Sequence, residues 1–96
     1  MIKHIVMWKL KDECKEENAK KIKELLENLT GVIKEIKNIE VGININKSDA
    51  AMDVVLYSEF NNLEDLDIYQ NHPEHVKAGS FVKSVATERK VCDFEV

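Results

Sequence analysis

Arginine, proline and long hydrophobic runs are what this sequence has least of. Arg89 is the only arginine, and lysine supplies the remaining positive charge. Most bidentate clamps for phosphate or carboxylate are therefore absent. The net charge is −4, with the two signs interspersed along the chain. A basic stripe for a nucleic-acid backbone is missing, which excludes the nucleic-acid-binding classes. The apolar opening Met1-Ile2-Lys3-His4-Ile5-Val6-Met7 is too short and too interrupted for a signal peptide or a membrane span, so a cytoplasmic protein with no membrane partner is expected. Cys14 and Cys92 lie far apart and lack metal-ligand spacing, and they read as two reduced thiols. Repeats, low-complexity segments and linkers are also absent. With 96 residues there is room for one core, so residues 1–96 are expected to form a single domain.

What is present is periodicity. Met1 to Leu10 alternates as a strand, with Ile2, His4, Val6, Trp8 and Leu10 on one face and Lys3, Ile5, Met7 and Lys9 on the other. Lys15 to Leu29 carries Ala19, Ile22, Leu25, Leu26 and Leu29 at helical spacing, and Thr30-Gly31 supplies a stop. Ile39 to Asn46 and Met52 to Phe60 alternate as two strands joined by the turn-forming run Asn46-Lys47-Ser48-Asp49-Ala50. Asn61-Asn62 is a helix N-cap signal, and that helix should end near Asn71, because Pro73 forces the residue before it out of helical geometry. Pro73 suits the first position of a second helix running to about Val85. Glu88 to Val96 alternates as the last strand.

The order βαββαβ predicts an α+β, ferredoxin-like fold: a four-stranded antiparallel sheet with its helices on one face. Apolar residues on both faces of the first strand require cover on both sides. A homodimer is therefore expected, closing the helix-free faces against each other, with Ile5, Met7 and some of Val55, Tyr57 and Val91 on that face.

Chemistry, if the chain performs any, is expected in Tyr69-Gln70-Asn71-His72-Pro73-Glu74-His75. From Pro73 onward, His75, Ala78, Gly79 and Val82 share one helical stripe, which points His75 toward the sheet and leaves space beside it at Gly79. Two roles fit: a pocket element, or a core histidine whose ring N–H is satisfied by a backbone carbonyl. On an unbroken helix Tyr69 and His75 would diverge; the break at His72-Pro73 permits them to share a cavity. A tyrosine–histidine pair can polarise a carbonyl and move a proton, and a purely structural tyrosine fits equally. His4 can approach His75 if its strand face is the one under the helices, and Trp8 on that face reads as core or as a pocket wall. His72 reads as exposed. His72 and His75 lack a shared face and a third ligand, so no metal site is expected. Cys14 has no sequence-adjacent base and reads as an unreactive thiol.

On these residues the chain resembles the stress-responsive A/B barrel domain (Dabb) family, a branch of the dimeric α+β barrel superfamily. The resemblance rests on Ile2-Lys3-His4-Ile5-Val6 with Lys9-Leu10-Lys11-Asp12, on Glu40-Val41-Gly42, on Asp53-Val54-Val55-Leu56 with Phe60, on the Tyr69 to His75 element, and on Arg89 with Val91 and Asp93. It departs at Ile33-Lys34-Glu35-Ile36, where many members have Ile-Pro-Gly-Ile. The resemblance implies two ferredoxin-like subunits joined as a dimeric α+β barrel. Most members have no assigned reaction, and some plant members are stress-induced. One plant member is a polyketide cyclase that closes an aldol without a cofactor. Its catalytic tyrosine and histidine align with Tyr69 and His75, and its first-strand pocket histidine with His4. A further pocket histidine of that enzyme falls at Val54. The resemblance thus implies Tyr69 and His75 as catalytic candidates with His4 and Val54 beside them and no cofactor; together with Trp8 and Gly79, placed by the strand and helix spacing, they are expected around an apolar or aromatic small molecule. A non-catalytic stress-related structural protein is the alternative. The wider superfamily adds haem-binding and cofactor-free monooxygenase readings, which this resemblance favours less.

Overall fold

Ile2, His4, Val6, Trp8 and Leu10 recur at every second position, and all are buried on one side of a strand, β1 (Ile2–Leu10). A computed structural model describes residues 1–96. After β1 comes helix α1 (Lys15–Glu27), continued by a 3-10 turn over Asn28–Gly31. Strands β2 (Asn38–Ile43) and β3 (Val54–Phe60) form the antiparallel hairpin. Helices α2 (Leu63–Asn71) and α3 (Pro73–Val85) and strand β4 (Ala86–Glu95) complete the chain. The sheet order is β2-β3-β1-β4, and every neighbouring pair is antiparallel. This is the expected α+β, ferredoxin-like βαββαβ arrangement, with the second helix in two pieces.

The helices pack on the His4 face of the sheet. Ala19, Ile22 and Leu26 of α1, Leu66 and Tyr69 of α2, and Ala78 and Val82 of α3 are buried with Val6, Trp8, Val41, Val54, Leu56 and Phe60 of the sheet. A large apolar side chain buried in this way contributes about 1.5–3 kcal/mol relative to leaving it in water. Ile33 and Ile36 are buried as well, so the segment that lacks the family's Pro-Gly pair still anchors its two isoleucines in the core.

No helix covers the other face. Lys3, Ile5 and Met7 of β1, Val55, Tyr57 and Glu59 of β3, and Lys90, Cys92 and Phe94 of β4 lie there, half-buried or exposed. Lys3 Nζ donates to Tyr57 Oη at 2.7 Å and to Glu59 Oε2 at 2.5 Å, a polar cluster beside the apolar patch. Of the three residues expected in part on this face, Val55 and Tyr57 lie on it and Val91 does not. Val91 pairs with Val6 on the helix side and is exposed there, on the edge strand β4.

The hairpin strands are shorter than their alternation suggests. β2 stops at Ile43, because Asn44 Nδ2 donates to the Met52 carbonyl at 2.6 Å and Asn44 Oδ1 accepts from Asn46 N at 2.8 Å. Side chain–backbone bonds of this kind replace the ladder with a turn, and Ile45 is left exposed in the loop. β2 is also an edge strand, and α1 closes its outer rim. Glu27 Oε2 accepts from Val41 N at 3.0 Å, Lys23 Nζ donates to Val41 O at 2.7 Å, and the two side chains pair at 2.8 Å.

Candidate small-molecule cavity

The site begins with helix punctuation. Asn62 caps α2 by accepting from Asp65 N at 2.8 Å. Pro73 ends α2 and opens α3, and His72 between them is extended, with φ −64° and ψ 135°. His72 Nδ1 accepts from Glu74 N at 3.1 Å, which makes His72 the N-cap of α3 rather than an idle surface residue. The break turns the last turn of α2 against the first turn of α3. As a result the Tyr69 and His75 rings lie 4.4 Å apart, centroid to centroid, at 54°. His4 approaches from the sheet, 6.3 Å from the Tyr69 ring and edge-on to it.

His75 is half-buried, and its Nδ1 lies 3.0 Å from the Gln70 carbonyl oxygen. That oxygen can only accept, so Nδ1 carries the proton and Nε2 keeps its lone pair. Burial lowers the pKa of His75 below the ordinary histidine value; the Gln70 bond opposes this, and neighbouring positive charge, including Arg89, adds to it. The ring is thus held as a neutral base. His4 is 2% exposed, and its Nδ1 is bonded to Asp93 Oδ1 across the β1–β4 pair. Tyr69 is fully buried, and burial pushes its phenol well above the usual range. Its hydroxyl is a buried polar atom without a hydrogen-bond partner.

His4, Trp8, His75 and Gly79 all line one cavity of about 460 Å³ between the sheet and α3. Its apolar wall is Val6, Leu26, Leu56 and Val82 with Trp8, and its polar rim is Gln70, Ser80, Lys83 and Arg89. Gly79 contributes open space, since a methyl built at its Cα would meet no atom within 4 Å. Two of the expected site residues are placed differently. Tyr69 stands behind His75 and is not on the cavity wall, and Val54 is buried in the core opposite Trp8, with Leu56 forming the wall instead. Asp93, Lys83 and the site position of Arg89 were not identified from sequence. The signal for Asp93 was the β1–β4 register, which sets it opposite His4 but cannot be read without knowing how the strands align. No group of three His, Cys, Asp or Glu side chains is placed to hold a metal ion, and no helix is long and apolar enough to cross a membrane.

Among solved structures, a Bacteroides fragilis protein described as dimeric, ferredoxin-like and of unknown function is 39% identical, with a TM-score of 0.91 over 99% of this chain and 95% of that one. A dimeric ferredoxin-like protein of unknown function from Thermobifida fusca is 21% identical, with a TM-score of 0.87 over 99% and 90%. Hydroxynitrile lyase from Passiflora edulis is similar in fold, at 15% identity and a TM-score of 0.86 over 99% and 92%. No curated protein matches the chain in sequence. The family model for the stress responsive A/B barrel domain matches residues 2–96, nearly the full length of the sheet and helices that frame the cavity. The chain therefore belongs to the stress responsive A/B barrel domain family.

Proposed function

We propose that the chain works as a homodimer whose cavity binds a small, largely apolar molecule, and that His75 acts there as a general base without a cofactor. The observation that carries this reading is the His75–Gln70 bond, which fixes the tautomer and leaves Nε2 unprotonated on a residue that lines the cavity. A base of this kind can take a proton from carbon next to a carbonyl, as aldol-type and lyase chemistry require. The enolate oxygen then needs a donor, and Tyr69, fully buried behind His75 and off the cavity wall, does not reach it; the polar side chains that line the cavity beside the histidines are Gln70, Ser80, Lys83 and Arg89. His4, oriented by Asp93, presents a second imidazole to the same space.

The dimer is supported by the uncovered sheet face, with Ile5, Met7, Val55 and Phe94 on it, and by the dimeric state described for the Bacteroides fragilis and Thermobifida fusca proteins. A cytoplasmic setting accords with two free cysteines.

The same observations favour one other reading, a non-catalytic protein in which these residues hold the fold. Tyr69 is fully buried behind the cavity wall, and His75 is satisfied by a backbone carbonyl. Crystals soaked with phenolic and polyketide-like compounds separate the two. Density beside His75 that is lost in a Gly79→Leu variant supports the cavity reading. A cavity that stays empty across the set, in a protein that crystallises isomorphously, sinks it.

A further inference from the structure

The cavity is amphipathic, and its charge has one sign. The residues with a permanent charge among those lining it are Lys83 and Arg89, and no carboxylate faces it, although the chain carries 18 acidic against 14 basic residues. Arg89 is the only arginine. It takes part in no ion pair or side-chain hydrogen bond, and nor does Lys83. Nearby acids are otherwise engaged: Asp93 with His4, and Glu88 with Lys90 at 3.4 Å. Lys83 sits in the last turn of α3, where the helix dipole alone favours a cation. That explanation does not extend to Arg89, which reaches the cavity from β4, opposite Trp8. Both cations are exposed, whereas His4, Val6, Leu56 and Val82 in the depth are buried.

We infer that the ligand is an amphipathic carboxylate, with its apolar body between Trp8, Leu56 and Val82 and its carboxylate at the mouth on the Arg89 guanidinium, assisted by Lys83. This deepens the proposed function and rests on the cavity reading. The guanidinium fork matches a carboxylate in two parallel N–H···O bonds, a match that an ammonium group cannot give. With the charged end fixed at the mouth, the apolar end is directed inward toward His4 and His75.

Matched probe pairs test it: 4-phenylbutanoate against 4-phenylbutanol, and octanoate against octanol, titrated into the isotope-labelled protein and followed by amide chemical shifts. The acid of each pair should bind about tenfold more tightly than the alcohol, and added salt should weaken the acid alone. Arg89→Met should erase that preference and leave alcohol binding unchanged, and Arg89→Lys should restore only part of it. Gly79→Leu should abolish binding of both members. If acid and alcohol bind equally, with shifts at Gly79 and Ser80, the carboxylate assignment is overturned while the cavity reading stands. If neither member of either pair shifts the cavity residues, both fall. An acid preference that survives in Arg89→Met also overturns the assignment.

Discussion

Tyr69 and His75 belong to different helices, yet their rings stack at 4.4 Å with a 54° tilt, and the phenol hydroxyl points at no partner. Six residues apart on a continuous helix, the two would face away from each other. Pro73 removes that constraint, and His72, in extended geometry, makes the turn.

The unpartnered hydroxyl gives the first prediction. A buried polar group without a partner costs on the order of 1–3 kcal/mol. Tyr69→Phe removes the oxygen and keeps the ring against Phe60 and His75. Urea unfolding should find the variant as stable as the wild type, or about 1 kcal/mol more stable. A clear loss of stability would mean that the hydroxyl is satisfied after all.

His75 gives the second. Its folded pKa lies below the ordinary value of 6.5, so the unfolded chain binds the proton more readily. Stability from this group is therefore complete above about pH 6.5 and falls as pH drops toward the lower folded value. Thermal midpoints measured from pH 7.5 to pH 5 should decline for the wild type and decline less for His75→Gln. Parallel curves would show that the ring is not held neutral by burial.

The rim of β2 gives the third. Glu27 has its pKa lowered by the Lys23 hydrogen bond and by the Val41 N–H, and both bonds need the carboxylate. Glu27→Ala should cost about 1 kcal/mol, below the usual range for bonds to a charged group because the pair is partly solvated. It also bares the strand edge, so aggregation on heating should begin earlier. An unchanged thermal midpoint together with unchanged light scattering would show that the cap is idle.

The fourth concerns assembly. Met7→Asp puts a charge in the middle of the uncovered face, next to Val55 and Lys90 on the flanking strands. Light scattering at micromolar concentration should give a dimer for the wild type and a monomer for the variant. A wild-type monomer would remove the sheet-to-sheet pairing altogether.

Much of this fold is written in short-range pattern. The alternation through Ile2–Leu10, the Asn62 cap and the Pro73 restart are local signals, and each marks an element the structure contains. The inward stripe of His75, Gly79 and Val82 is local in the same sense, and it meets the cavity as the spacing requires. What was not legible depends on register and reach. Val91 could be assigned to either face until β4 was aligned on β1, and a one-residue difference in alignment exchanges the faces. Asp93 and Arg89 were hidden for the same reason. Ile45 kept the strand period but lost the strand, because the amide groups of Asn44 and Asn46 outcompete the ladder there.

The sheet order has a consequence for how the chain comes into being. β1 is synthesised first, yet it lies between β3 and β4, and its pairing with β4 joins residues such as Ile2 and Glu95. On the ribosome, one rim of β1 therefore stays open until β4, the last strand of the sheet, has emerged. Contacts this distant in sequence slow folding, and an unpaired apolar strand is the segment a nascent chain most needs to keep from neighbours. Lys3 and Lys9, spaced along β1 among its apolar residues, give that waiting strand two positive charges with which to repel its own copies.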